Sequence, residues 1–270
     1  MKRIIIVVIV SAFCFHSYAQ DTTKTTKKLT KQQRKEERQQ HINAMVKQEE
    51  EGALIYNKQS VFGIMIRTDG YGLFYEKGKA ITRRNGRIYS IEFSEIKDPK
   101  EEKTPSGFFT IGNPYVYGKV NNFYQLKFGY GRQYVFGQKG NKNGVAVLGV
   151  YEGGLSLGLL RPYYLEVNDG SGNRYIKYSV EDSAAFLDPS VIQGSAGLTK
   201  GWTEIQIKPG LLVKGAMRFD WGHYNELVSG VEIGVSVEAY AEKIPIILFA
   251  QERQFFFQGH IALVFGRRKG

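Results

Sequence analysis

The chain has 270 residues and a formal net charge of +11, because 37 lysines and arginines outnumber 26 acidic residues. A basic balance of this size is typical of nucleic-acid binding. Much of the charge lies at the two ends of the chain, however, and no basic–aromatic recognition motif accompanies it, so we predict no nucleic-acid partner. The single cysteine, Cys14, excludes a disulfide framework and a cysteine-based zinc site.

The first residues have the layout of a secretory signal peptide. Lys2 and Arg3 precede a short apolar run, residues 4–15, and Ser17-Tyr18-Ala19 places small residues at the two positions that determine cleavage. The run is too short for a membrane-spanning helix. We therefore expect residues 1–19 to be removed by cleavage, Gln20 to start the mature protein, and the mature protein to be exported without a thiol.

Residues 20–57 differ from the rest of the chain and predict a basic extension that contains a helix. Residues 31–51 are rich in helix-forming side chains and lack glycine and proline, and the few apolar residues form one short stripe. A mostly polar helix of this kind is either a solvated tether or a contact to another component. For the second alternative we expect the partner to be contacted by Lys31, Arg34, Lys35 and Arg38.

From residue 58 to residue 270 the hydrophobic pattern has a period of two, which predicts β-strands. Apolar residues alternate with polar residues or glycine in eight segments, and Asp69-Gly70 and Asn85-Gly86 are hairpin signals. The segments are centred on residues 62–67, 71–76, 89–94, 123–131, 145–165, 211–220, 231–239 and 255–265.

The lengths of the connections separate a membrane barrel from a soluble sandwich. Connections on the side of the N-terminal extension, 82–87, 137–144 and 220–228, are short, whereas three on the opposite side, 97–121, 166–202 and 242–253, are long. Short periplasmic turns and long extracellular loops are the rule for outer-membrane barrels. We predict an all-β fold, a closed antiparallel eight-stranded transmembrane β-barrel with an N-terminal periplasmic helix, located in the outer membrane.

The polar side of these strands carries both signs of charge in nearly matched numbers. An eight-stranded barrel has just enough internal space for side chains to fill it. We therefore predict a lumen ion network, and its members are Arg67, Glu76, Glu92, Lys127, Glu152, Lys214, Arg218, Glu232 and Glu238. The alternative reading of these residues is an ordinary sheet face in contact with water.

The signal-peptide layout, the eight alternating segments and the aromatic last strand, Phe255 to Phe265, resemble the small outer-membrane barrels of the porin-like superfamily. The resemblance covers residues 60–266. With the segments Tyr115-Val116-Tyr117-Gly118-Lys119 and Lys243-Ile244-Pro245-Ile246, the chain is also similar to accessory barrels of outer-membrane assembly or secretion machines. This resemblance implies outer-membrane lipid around the barrel and protein partners in the outer membrane and the periplasm.

The sequence shows no arrangement expected of an enzyme. After removal of the signal peptide the histidines are His41, His223 and His260, which are not at metal-ligand spacing, and no serine lies in a nucleophile-elbow context. We predict no catalytic residues, no metal site and no cofactor. A lipid-modifying enzyme remains an alternative, because some small barrels act on outer-membrane lipids.

The long connections carry more apolar residues than loops in water usually do. The stretch Ile244, Ile246, Ile247, Leu248 and Phe249 is nearly all apolar, and we expect it to contact a partner unless the loops pack on each other as a lid. The sequence therefore favours a non-enzymatic accessory subunit of an outer-membrane machine for β-barrel assembly or protein secretion. A stand-alone anchor or adhesion barrel is the alternative.

Overall fold

The computed structural model describes residues 56–105, 113–140, 143–168, 170, 172–222 and 226–270, together with residues 32, 35, 36, 38–40 and 43. The last group, in a separate unit that ends at residue 43, has helical backbone conformation. The predicted signal peptide, the ends of the predicted helix, Lys31, Arg34, His41 and His223 lie outside the described residues. No helix among the described residues is long and apolar enough to cross a membrane.

Eight strands of the described part of the chain form a closed antiparallel barrel in the order β1-β13-β12-β11-β7-β6-β3-β2. Each strand pairs with its neighbour along the barrel wall, and β1 closes the barrel by pairing with β13. These strands are β1 (Lys58–Arg67), β2 (Gly70–Ala80), β3 (Asn85–Ile96), β6 (Asn121–Gly137), β7 (Ala146–Pro162), β11 (Gln206–Asp220), β12 (Leu227–Ile244) and β13 (Arg253–Lys269). The predicted closed antiparallel eight-stranded β-barrel is confirmed.

The outward face of the barrel carries a band of apolar side chains. Ile66 on β1 is 72% exposed and Phe257 on β13 is 73% exposed, while their chain neighbours Arg67 and Phe256 are buried inside. Alternate residues of a strand point to opposite faces, so the period of two in the sequence places one set outside and the other inside. An apolar outer band with a polar interior is the inverse of a soluble sheet and fits a lipid surrounding.

Several strands are longer than the alternation of apolar and polar residues predicts. The difference is clearest at the end of the barrel where β1 begins and β13 ends. The structure extends β13 to Lys269 and starts β1 at Lys58, with these two residues paired. The extensions are polar, so the hydrophobic pattern fades there while backbone pairing continues. The short connections, residues 81–84, 138–145 and 221–226, lie at this end, as predicted.

The long connections at the opposite end build a cap. A small sheet combines β8 (Tyr164–Asn168) with β9 (Asn173–Lys177) and β10 (Ile192–Ser195), and β4 (Lys103–Thr104) pairs with β5 (Tyr115–Val116). The helix α1 (Ser183–Leu187) and the 3-10 turn Trp202–Glu204 complete it. The cap has its own apolar core, in which Phe186 is fully buried.

Candidate functional site: the barrel interior and the cap

Two cations and two carboxylates form an alternating ring in the half of the lumen nearer the cap. Arg67 Nη1 lies 2.9 Å from Glu92 Oε1, and Arg67 Nη2 lies 2.6 Å from Glu238 Oε1. Lys127 Nζ bridges the same two carboxylates at 2.8 Å and 2.7 Å. All four side chains are buried, and Ser94, Gln125 and Ser236 accept further hydrogen bonds from Arg67.

A second cluster lies deeper, around Arg218. Its Nη2 donates to both carboxylate oxygens of Glu76 at 2.7 Å and 2.8 Å, and its Nε donates to Glu232 at 2.9 Å. Lys214 joins Glu232 at 2.9 Å to Glu152 at 3.2 Å, and its Nζ lies 4.6 Å from the centre of the Phe74 ring. The structure thus places all nine predicted network residues inside the barrel, and each contacts an opposite charge.

Glu238 pairs across the lumen and not with its strand neighbour. It lies on β12, next to the strand that carries Lys214 and Arg218, but it pairs with Arg67 and Lys127. The strands are tilted in a barrel and long side chains cross the lumen. The network therefore combines pairs along the wall, such as Arg218 with Glu232, with pairs across the interior, such as Arg67 with Glu238, and the sequence pattern does not specify the second kind.

A third cluster closes the short-turn end of the lumen. Arg268 Nη2 lies 2.6 Å from Asp220 Oδ2, and Lys139, from the connection between β6 and β7, lies 3.8 Å from Asp220 Oδ1. Burial lowers the pKa of the Lys139 ammonium, while the charge of Asp220 acts in the opposite direction. Sequence analysis missed this cluster because Arg268 and Lys139 lie in charged segments that read as solvent-exposed.

His260 and Ser156 lie on the inward face and contact other lumen residues. His260 Nε2 lies 3.3 Å from Glu232, and the hydroxyl of Ser156, which is fully buried, lies 2.7 Å from the hydroxyl of Tyr240. His260 and Ser156 thus make separate contacts inside a filled lumen. Among the described residues no group of three histidine, cysteine or acidic side chains is arranged to hold a metal ion.

The cap end of the lumen is sealed by an apolar plug. Phe123, Tyr240 and Phe256 pack with ring centroids 5.3–5.8 Å apart. Ile244, Ile246 and Ile247 pack into the same cluster and are 1%, 5% and 6% exposed.

The prediction that these isoleucines contact a partner is therefore wrong, because the connection between β12 and β13 folds inward over the barrel mouth. Leu248 packs against the core of the cap. Phe249 stays 61% exposed and stacks on Tyr117 at 6.0 Å. The loops thus pack on each other as a lid, the alternative that the sequence left open.

Polar groups remain accessible beside the plug. A cavity of about 500 Å3 lies between the barrel rim and the cap, and its lining includes Asp98, Lys119, Arg161 and Tyr163. Lys119 Nζ pairs with Glu101 at 2.7 Å, and burial raises the pKa of the Tyr163 phenol. The small cap sheet was missed in the sequence, although the glycine-rich turn between Asn168 and Asn173 is a hairpin signal.

No protein-family model matches the chain, and no curated protein matches it. Solved structures that resemble it include three small barrels: the N-terminal β-barrel domain of OprF from Pseudomonas aeruginosa, the attachment invasion locus protein Ail of Yersinia pestis, and Neisserial surface protein A. Their identities are 8%, 9% and 10%, and their TM-scores 0.36, 0.35 and 0.36. The alignments cover 78%, 79% and 78% of this chain and 99%, 99% and 95% of those chains.

At these TM-scores the assignment rests on the sheet itself rather than on the likeness. Eight antiparallel strands close on themselves, their outward side chains are apolar, and their inward side chains form charge-paired clusters. The connections are short at one end of the barrel and long at the other. These features together give the chain the architecture of a small transmembrane β-barrel.

Proposed function

We propose that this chain is a non-enzymatic outer-membrane barrel that works as an accessory subunit of a multi-protein machine for β-barrel assembly or protein secretion. The observation that carries the proposal is the sealed lumen. Arg67, Lys127, Lys214 and Arg218 are each buried against carboxylates, and the plug lies above them. A barrel filled in this way has no route for solutes, so its activity belongs to its two ends.

The cap carries three strongly exposed apolar side chains. Val180 is 91% exposed, Leu198 is 71% exposed and Phe249 is 61% exposed. Exposed apolar groups that are not needed for a protein's own core favour contact with another protein. With Ile244, Ile246 and Ile247 buried, these three residues replace them as the proposed contacts on this side.

The extension supplies the second support for a role in a complex. The barrel strands start at Lys58, and Tyr56 and Asn57 still hydrogen-bond to the barrel, so the closed wall does not include residues 21–50. Lys35 and Arg38 lie in the stretch with helical conformation, and a basic helix steers an acidic partner at low salt. A stand-alone anchor or adhesion barrel is favoured instead if only the cap surface, with Val180 and Leu198, has a binding partner.

The experiment compares three forms of the protein captured from detergent-solubilised outer membranes. They are the full chain, a chain in which residues 21–50 are replaced by a glycine–serine linker of equal length, and the variant Val180→Ser/Leu198→Ser. We expect all three to form a heat-modifiable barrel and the linker form to lose a co-purifying outer-membrane protein. Retention of every partner by both altered forms would contradict the accessory-subunit role.

A further inference from the structure

A row of directly opposed cations crosses five neighbouring strands on the outer surface of the barrel at the short-turn end. Lys58 on β1 is paired in register with Lys269 on β13 and with Lys79 on β2. Lys79 faces Arg87 on β3, which in turn faces Arg132 on β6. All five side chains are exposed and point outward.

This arrangement is unfavourable by itself. Directly opposed side chains in an antiparallel sheet lie about 5 Å apart, and like charges in such pairs destabilise the sheet. Among the described residues, none of the five has a carboxylate partner, whereas the cations inside the lumen are all paired. The row therefore presents positive charge that nothing in the described part of the chain neutralises.

The outward residues two positions further along β1, β2 and β13 extend the row into a shallow groove. Ser60, a small residue on β1, lies between Arg267 on β13 and Lys77 on β2. A groove of about 420 Å3 follows, and its lining includes Ser60, Lys58, Lys77, Lys79, Arg267, Lys269 and Tyr89. Cations around a small hydroxyl residue suit a phosphate group, because ammonium, guanidinium and hydroxyl groups all donate to its oxygens.

The position of the groove indicates where the phosphate comes from. Directly above it on the same outward face lie Phe62, Tyr75 and Phe265, which are 41%, 40% and 51% exposed and belong to the apolar band. The groove is thus at the depth of lipid headgroups, with apolar surface for acyl chains next to it. The charge is also one-sided, because the outward residues at this end of β11 and β12 are Phe219, Trp221 and Leu227.

We propose that this cationic groove binds the headgroup phosphates of anionic phospholipids in the leaflet at the short-turn end of the barrel. The inference rests on the proposed function only in that the barrel spans a membrane. It adds a lipid site that fixes which side of the barrel faces anionic lipid.

The test is competition between phosphatidylglycerol and phosphatidylcholine for the detergent-solubilised full chain, with bound lipid counted by native mass spectrometry. We expect the wild type to prefer phosphatidylglycerol. The variant Lys58→Gln/Lys79→Gln/Lys269→Gln should lose about fivefold in this preference for each cation removed. The control Lys100→Gln/Lys103→Gln/Lys243→Gln, which changes exposed cations at the cap end, should keep it.

The proposal is overturned if the wild type shows no preference, if the control loses as much preference as the variant, or if inorganic phosphate alone displaces phosphatidylglycerol. Loss of a co-purifying protein with unchanged lipid preference also overturns it, in favour of an acidic protein partner. Failure to insert into vesicles would instead contradict the membrane-spanning barrel itself. The two failures are therefore distinguishable.

A single substitution gives an independent readout that does not depend on the triple variant folding. Lys58 is the centre of the row, so Lys58→Gln relieves repulsion with Lys79 and Lys269. We expect this variant to raise the urea midpoint of unfolding in phosphatidylcholine vesicles and to lower it in vesicles that contain phosphatidylglycerol. The same sign in both lipids would overturn the proposal.

Discussion

Removal of the Arg218 guanidinium is the sharpest test of the charge-paired interior. Arg218 is 1% exposed and donates two hydrogen bonds to Glu76 and two to Glu232. Among the described residues, Arg218 is the ion-pair partner of Glu76. In Arg218→Leu the Glu232 carboxylate keeps Lys214 at 2.9 Å, but Glu76 becomes a buried charge without its cation. Breaking a buried pair by removing one partner costs about 3–5 kcal/mol.

The assay is urea unfolding of the refolded barrel in phosphatidylcholine vesicles, followed by tryptophan fluorescence. With ordinary denaturant dependence, the expected cost lowers the midpoint by roughly 1–3 M urea. The double variant Arg218→Leu/Glu76→Gln removes the stranded charge and should recover much of the loss. Lys100→Leu, a change at an exposed position of the cap end, should have little effect. A charge-paired interior without water would be refuted if Arg218→Leu and Lys100→Leu had equally small effects on the midpoint. It would also be refuted if the double variant lost as much stability as the two single changes added together.

Three further expectations follow from the same structure. The purified protein should show no sizeable conductance in planar bilayers, because side chains fill an eight-stranded barrel, and stable open-channel steps would contradict the sealed lumen. Unboiled protein should migrate differently from boiled protein on a detergent gel, since a closed barrel leaves no unpaired edge, and it should fractionate with outer membranes. Recovery as a soluble periplasmic monomer would contradict the membrane barrel. Gly63→Val should destabilise the barrel by about 1–3 kcal/mol through overpacking, because a Cβ at Gly63 would lie 2.3 Å from Cζ of Phe74. The urea midpoint of unfolding should recover in part when Phe74→Leu is added.

The sequence alone determined the wall of the barrel. Outward residues such as Ile64 and Leu263 alternate with inward ones such as Met65 and Ala262, and this period of two depends only on strand geometry and on which side meets lipid. The lengths of the connections likewise distinguished the two ends of the barrel, because the length of a connection between neighbouring strands can be read directly from the sequence. The same alternation placed all nine charged network residues on the inward face before any contact was known.

Tertiary structure decided which charges meet and which apolar segment is free. Glu238 pairs with Arg67 rather than with Lys214 or Arg218, and Ile246 seals the lumen instead of facing a partner. Both outcomes depend on strand tilt and loop folding, which bring together residues that are far apart in the sequence. The row from Lys269 to Arg132 arises in the same way, because its five cations come from five strands and become neighbours only when the barrel closes in this register.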